Sequence, residues 1–259
     1  MLSMFLTLSS GPGECIFHVY PFNIHPWCRE FLGKPLSIAT LAAFIRLGTK
    51  YDIDVLRKEA LRRLYYEFPV DFDTFLAADD WTMVAYDNTI YYQVARLASA
   101  LGIDSLRPMS LYFYCCAGSI PGRYWTSLVN GFLDDESGSN VKLNPQDMEL
   151  CISAYPKLAL LQSRTTYSWM VSDFPPCGSI MACRSARLSI LASKFVPSVD
   201  IEGLCSWDDA WDDSLCTLCR ASAYDRHMEG RREFWAGIPE AFGFGSWSEL
   251  QNERASSLQ

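Results

Sequence analysis

Residues 44–68 read FIRLGTKYDIDVLRKEALRRLYYEF, and residues 94–116 read VARLASALGIDSLRPMSLYFYCC. Shifted by fifty positions, Arg46, Leu47, Ile53, Asp54, Leu56, Arg57 and Leu61 fall on Arg96, Leu97, Ile103, Asp104, Leu106, Arg107 and Leu111. Each stretch holds the end of one helix-periodic segment, a short break and the start of another. Ser37 can cap a helix carrying Ile38, Leu41, Ala42 and Ile45 on one face. Asp54 starts a second helix, with Leu56, Ala60, Leu61, Leu64 and Phe68 as its apolar stripe. Pro69 stops it. In the second copy, Asn88 can cap the first helix, Gly102 breaks it, and Asp104 caps the next. Pro108 there falls in the first turn, where a missing N–H costs little. The unit written twice is an αα-hairpin. One hairpin cannot bury its own stripe, so two copies imply a shared core.

The remaining segments continue the helical pattern. Asn144 followed by Pro145 is a helix start, and Pro156 is expected to kink or split the helix it opens. The Gly-, Ser-, Pro- and Asp-rich stretch 118–144 reads as a loop. SWSE, Ser246 to Glu249, has the form of a capping box. Helices are predicted near 38–48, 54–68, 89–101, 105–117, 145–170, 179–195 and 209–236. The only weak strand alternation is ECIFHVYPF near the start. The fold class is mainly α.

Hydrophobic residues make up 49% of the 259 and charged residues 20%, enough for a packed core and against disorder. A net charge of −8 argues against nucleic acid and anionic membrane surfaces as partners. No apolar run approaches the roughly 18 residues of a membrane span, and MLSMFLTLSSG lacks the basic start of a signal peptide. The expected location is intracellular, cytoplasm or nucleus, with most of the ten cysteines as free core thiols.

Residues 34–69, KPLSIATLAAFIRLGTKYDIDVLRKEALRRLYYEFP, resemble the last two helices of a BTB/POZ domain. They are most similar to a group of fungal BTB-domain proteins that pair this stretch with a helical C-terminal region. LASALGIDSLRPMSLYFYCC, residues 97–116, resembles the segment that follows in that group. CTLCRASAYDRHMEGRREFWAGIPEAFGFGSWSEL, residues 216–250, resembles its C-terminal pattern. The resemblance implies three regions: a poorly matched segment 1–33, partial BTB/POZ-like C-terminal helices 34–70, and a helical region 71–259. It also implies a non-enzymatic protein–protein interaction module, in some relatives an adaptor to a cullin-type ubiquitin-ligase scaffold. BTB-type dimers depend on the part of the domain before Lys34, and only 33 residues stand there. A BTB-type homodimer is therefore not expected. The apolar surface of the 38–68 helices is expected to be partly covered by Phe17, Tyr20, Phe22 and Trp27.

The cysteines offer a second, different reading. Cys216 and Cys219 in CTLC have the gap that lets two thiolates reach one Zn²⁺. Cys177 and Cys183 in CGSIMAC are separated more widely than usual. A Cys₄ zinc site from 177, 183, 216 and 219 would make the chain a metal-stabilised helical binding protein. Against it, residues 216 and 219 share a helix face, where two thiols can simply pack; on that reading there is no metal and no cofactor.

Other singled-out residues read as structural. Trp207 and Trp211 in WDDAWDDS stand four apart and suit a buried pair at a helix start, with Asp208, Asp209, Asp212 and Asp213 on the other faces. Arg57, Lys58, Arg62 and Arg63 suit a solvated face, with Glu59 spaced to support Arg63. His18, His25 and His227 are the only histidines, and His227, among charges, reads as solvated. GFGSWS puts Ser248 where a dinucleotide fingerprint needs its third glycine. No nucleophile–base–orienter set emerges, so the chain is read as no enzyme.

Overall fold

The structure, a computed structural model, describes residues 34–259 other than 79, 117–122, 134–137, 139, 173, 175–176 and 197–198. The expectations for ECIFHVYPF, His18, His25 and the four covering aromatics lie outside the described residues. The fold is mainly α. Helices α1 (Ile38–Tyr51) and α2 (Asp54–Glu67) form the first hairpin, and α3 (Phe72–Ala77) follows. Helix α4 (Ile90–Leu101), a 3-10 turn (Asp104–Leu106) and α5 (Arg107–Cys116) form the second. Then come α6 (Arg123–Asn130), the short antiparallel strands β1 (Phe132–Leu133) and β2 (Asn140–Val141), and α7 (Pro145–Arg164). A 3-10 turn (Ser168–Val171), α8 (Ile180–Phe195), another 3-10 turn (Asp209–Ser214), α9 (Thr217–Ala241) and α10 (Trp247–Ser257) complete the chain.

The two hairpins turn by the same device. Asp52 and Gly102, fifty residues apart, both end their helices in the left-handed region, at φ 57° and 66°. Ile53 donates its N–H to the Gly48 carbonyl and Ile103 to the Ala98 carbonyl, each at 2.9 Å. Asp54 pairs with Arg57 and Asp104 with Arg107. Ala60, Leu61 and Leu64 are buried in the first copy, as are Ser110, Leu111 and Tyr114 at the matching positions of the second. Leu106 is fully buried, while its counterpart Leu56 is only half-buried.

Three of the caps read from sequence are present, whereas Thr89 and Ile103, not Asn88 and Asp104, hold the N-cap positions in the second hairpin, without a side-chain cap bond. Ser37 accepts from the Thr40 N–H and Asn144 from the Asp147 N–H, and Ser246 with Glu249 closes a capping box. Several expectations are corrected. The 209–236 region is not one helix: it is a 3-10 turn, a break at Leu215–Cys216, and then α9. Helix α7 runs unbroken through Pro156 and ends at Arg164, short of 170. The 118–144 loop contains α6 and the β1–β2 pair. The helix expected from residue 89 begins after Thr89, and the one expected at 105 begins as a 3-10 turn.

Three polar residues of note are buried, two of them, Arg63 and His227, where a solvated position was expected. Arg63 pairs with Glu59 and donates to the carbonyls of Lys34 and Met83. Glu67, one turn on, accepts the backbone N–H groups of Thr82, Met83 and Val84. The two side chains satisfy the backbone of the segments that meet at the Leu36–Val84 bridge, which explains why burying them is tolerable. His227 is fully buried. It stands in line with Cys219, Ala223, Gly230, Arg231 and Phe234 on the buried stripe of α9, while Asp225, Arg226 and Glu229 are exposed on the other faces.

Two hydrophobic cores result. The larger gathers α1–α5, α7 and the second half of α9. The smaller contains Tyr167, Trp169, Phe174, Cys183, Trp211 and Cys219. Helix α10 closes the larger one. The Arg254 guanidinium, 5% exposed, donates to the carbonyls of Phe68 and Ser105, so one side chain joins the end of α2 to the turn of the second hairpin. Glu253 accepts from the Ser105 N–H and hydroxyl.

Candidate functional site

The smaller core carries the densest chemistry among the described residues. Ser179 precedes α8 and Cys216 is the N-cap of α9, so the two helices present their starts. Cys177 lies two residues before Ser179, and Cys183 lies in the first turn of α8. Cys219 lies in the first turn of α9. The wide Cys177–Cys183 spacing closes because a turn and one helical turn fill it. All four sulfurs lie within 4.8 Å of one another. Cys177 Sγ and Cys216 Sγ are 3.9 Å apart.

Backbone donors face the sulfurs. The Ser179 N–H points at Cys177 Sγ at 3.4 Å and the Cys216 N–H at Cys183 Sγ at 3.3 Å. The Cys219 backbone N–H, together with neighbouring thiols that donate to it, brings the Cys216 thiol down to about 6. Burial and the three other thiols hold Cys219 up. Cys183 and Cys219 are buried, whereas Cys177 and Cys216 are half-buried at the surface.

Behind the cysteines sits an aromatic box. Trp169, Trp207 and Trp211 lie with ring centres 5.1–5.5 Å apart. The expected Trp207–Trp211 pair is there, with Trp211 buried and Trp207 donating to Asp212. His227 completes the box against Trp207, Trp211 and Tyr167. One ring nitrogen faces the Cys205 carbonyl at 3.1 Å. Desolvation lowers its pKa to about 4, so the ring is neutral near pH 7. It is a core group; the four converging ligand atoms are all cysteine sulfurs.

The other side of α8 faces outward. Cys183, Arg187 and Ile190 point into the core. Met181 and Leu188, two turns apart, lie on the opposite face and are 79% and 49% exposed. Arg187 packs over the Phe174 ring, and Arg226 of α9 packs over the same ring. The metal-ligand spacing of CTLC was legible in the sequence. The outward apolar face was not, because periodicity alone cannot say which stripe of a helix finds a core.

Among the described residues, no helix is long and apolar enough to cross a membrane. The comparisons with family models, curated proteins and solved structures found no match.

Proposed function

We propose that this chain is a non-enzymatic protein–protein interaction module and that the outward face of α8 is its contact surface. The observation that carries the reading is the exposure of Met181 and Leu188, two turns apart on one helix face. Large apolar side chains grouped at a surface mark contact sites, because water contact there is relieved by a partner. The packing behind them is suited to presentation: α8 is held from its inner face by Cys183, Arg187 and Ile190. A BTB-type adaptor role, with a cullin-type scaffold as one partner, rests on the resemblance of residues 34–69, 97–116 and 216–250 alone.

The test is affinity purification of the tagged full chain from its native cells, beside the Met181→Asp/Leu188→Asp double variant. The expected result is a recurrent partner set that the variant loses while its melting temperature stays unchanged. A cullin in that set supports the adaptor role, and its absence removes it. A partner set untouched by the double variant rules out this face, and no recurrent partner at all rules out the module.

A further inference from the structure

We infer that Cys177, Cys183, Cys216 and Cys219 form a structural Zn²⁺ site that ties the start of α8 to the start of α9. The inference stands apart from the contact face of α8, and the two fail on different variants.

The donor set selects the metal. Four sulfurs, the only metal-ligating atoms grouped there among the described residues, suit a soft to borderline ion in tetrahedral geometry, which among abundant cellular cations is zinc. A zinc–sulfur bond of about 2.3 Å requires sulfur–sulfur edges of about 3.8 Å. One edge is 3.9 Å and the others are at most 4.8 Å, so closure needs only a small contraction.

Simple packing accounts for the group less well. Burial of a thiol as a small apolar group explains Cys183 and Cys219. It gives Cys177 and Cys216 no reason to meet the other two at the surface, where they are half-buried. A pair of disulfides would divide the sulfurs two by two at about 2.05 Å, rather than draw four around one point. The N–H groups of Ser179 and Cys216 aimed at sulfur are the donors that a cluster of thiolates needs to hold its negative charge.

The chemistry balances without redox. Zinc binds four thiolates, and each thiol that still carries its proton releases it to solvent, with no electron transferred. The consequence is mechanical. The two cysteine pairs come from segments about 35 residues apart, and the Trp211 turn lies between them. A metal bond across them closes that loop and holds the smaller core against unfolding.

The experiment uses the full chain expressed in zinc-supplemented medium and dialysed against metal-free buffer. Elemental analysis is expected to find one zinc per chain. Cobalt substitution is expected to give the intense visible bands of tetrahedral thiolate-bound Co²⁺. The decisive variant is Cys177→Ser. Its side chain is half-buried, so loss of a thiol there opens no core cavity, and a packing role predicts no change. The metal site predicts loss of stoichiometric zinc and a fall in melting temperature to that of the chelator-treated wild type. Cys151→Ser, a buried thiol in the larger core, should keep its zinc. Substoichiometric zinc in the wild type, or full zinc retained by Cys177→Ser, would overturn the site.

Discussion

The two hairpins share a turn down to the hydrogen bond, yet they are not equally embedded. Arg57 pairs with Asp54, which is largely exposed. Arg107, at the matching position, bonds Asp104 and also Asp147, whose carboxylate is completely buried at the start of α7, and its guanidinium lies over the Phe244 ring. The same local code has been placed at the edge of the fold in one copy and at its centre in the other. A repeat in sequence thus fixes a turn and a packing stripe. What each repeat contributes to stability depends on what else is brought against it.

The largest effect should come from removing the centre's buried ion pair. Asp147→Ala leaves the Arg107 guanidinium, itself mostly buried, without its buried partner. Asp147 also accepts from the Asn144 side chain, so the α7 start loses a second bond. Breaking such a pair costs about 3–5 kcal/mol. Urea unfolding of the variant beside Arg57→Ala measures the contrast, and the surface variant should show no resolvable shift. Equal losses would erase the distinction between the copies.

Leucine truncation sharpens the comparison one step lower. Leu106 is fully buried, so Leu106→Ala should cost about 2–5 kcal/mol. Leu56 is half-buried, and Leu56→Ala should cost less than half as much. The measurement is the denaturation midpoint at constant slope, which separates lost stability from a changed unfolded state. A Leu56 loss as large as that of Leu106 would mean that the first hairpin is as deeply packed as the second.

The smallest contrast lies inside the turns. Gly48 and Ala98 accept the same hydrogen bond, but only one carries a side chain. A Cβ on Gly48 would stand 2.7 Å from Arg57 Cβ and 2.8 Å from Arg57 N. In the second copy a 3-10 turn stands between the bend and α5, and Ala98 is accommodated there fully buried. Gly48→Ala should therefore destabilise, by about 1–3 kcal/mol, despite the better helix propensity of alanine. Ala98→Gly should cost about 1 kcal/mol through added chain freedom. Thermal melts resolve both, and a stabilised Gly48→Ala would show that the first turn is looser than its geometry.

Much of this was written in local patterns. Ser37, Asn144 and Ser246 cap helices because a short polar side chain followed by a helix-forming run satisfies the first free N–H groups wherever it occurs. Pro156 misled for the opposite reason. A split there is a local penalty, and with Cys151, Ala154 and Leu158 packed on either side of it α7 continues as one helix. The stretch from 209 to 236 misled because tryptophans at a spacing of four suit an α-helix, whereas the chain makes a 3-10 turn over Asp209–Ser214 that leaves Trp207 outside it.

The candidate site divides in the same way. The CTLC spacing named two ligand residues and CGSIMAC offered two more, since the reach of a thiolate is a local matter. That these pairs meet was decided by the smaller core, where the Trp169–Trp207–Trp211 box sets the starts of α8 and α9 side by side. The sequence by itself determined the helical class, the repeated hairpin and the caps at Ser37, Asn144 and Ser246, because each depends on residues within a few positions of one another. Only the tertiary structure decided that Arg63, Glu67, His227 and Arg254 are buried. Burying a polar group is tolerable only where partners distant in the chain complete its hydrogen bonds, as the Phe68 and Ser105 carbonyls do for Arg254, and no local pattern records who those partners are.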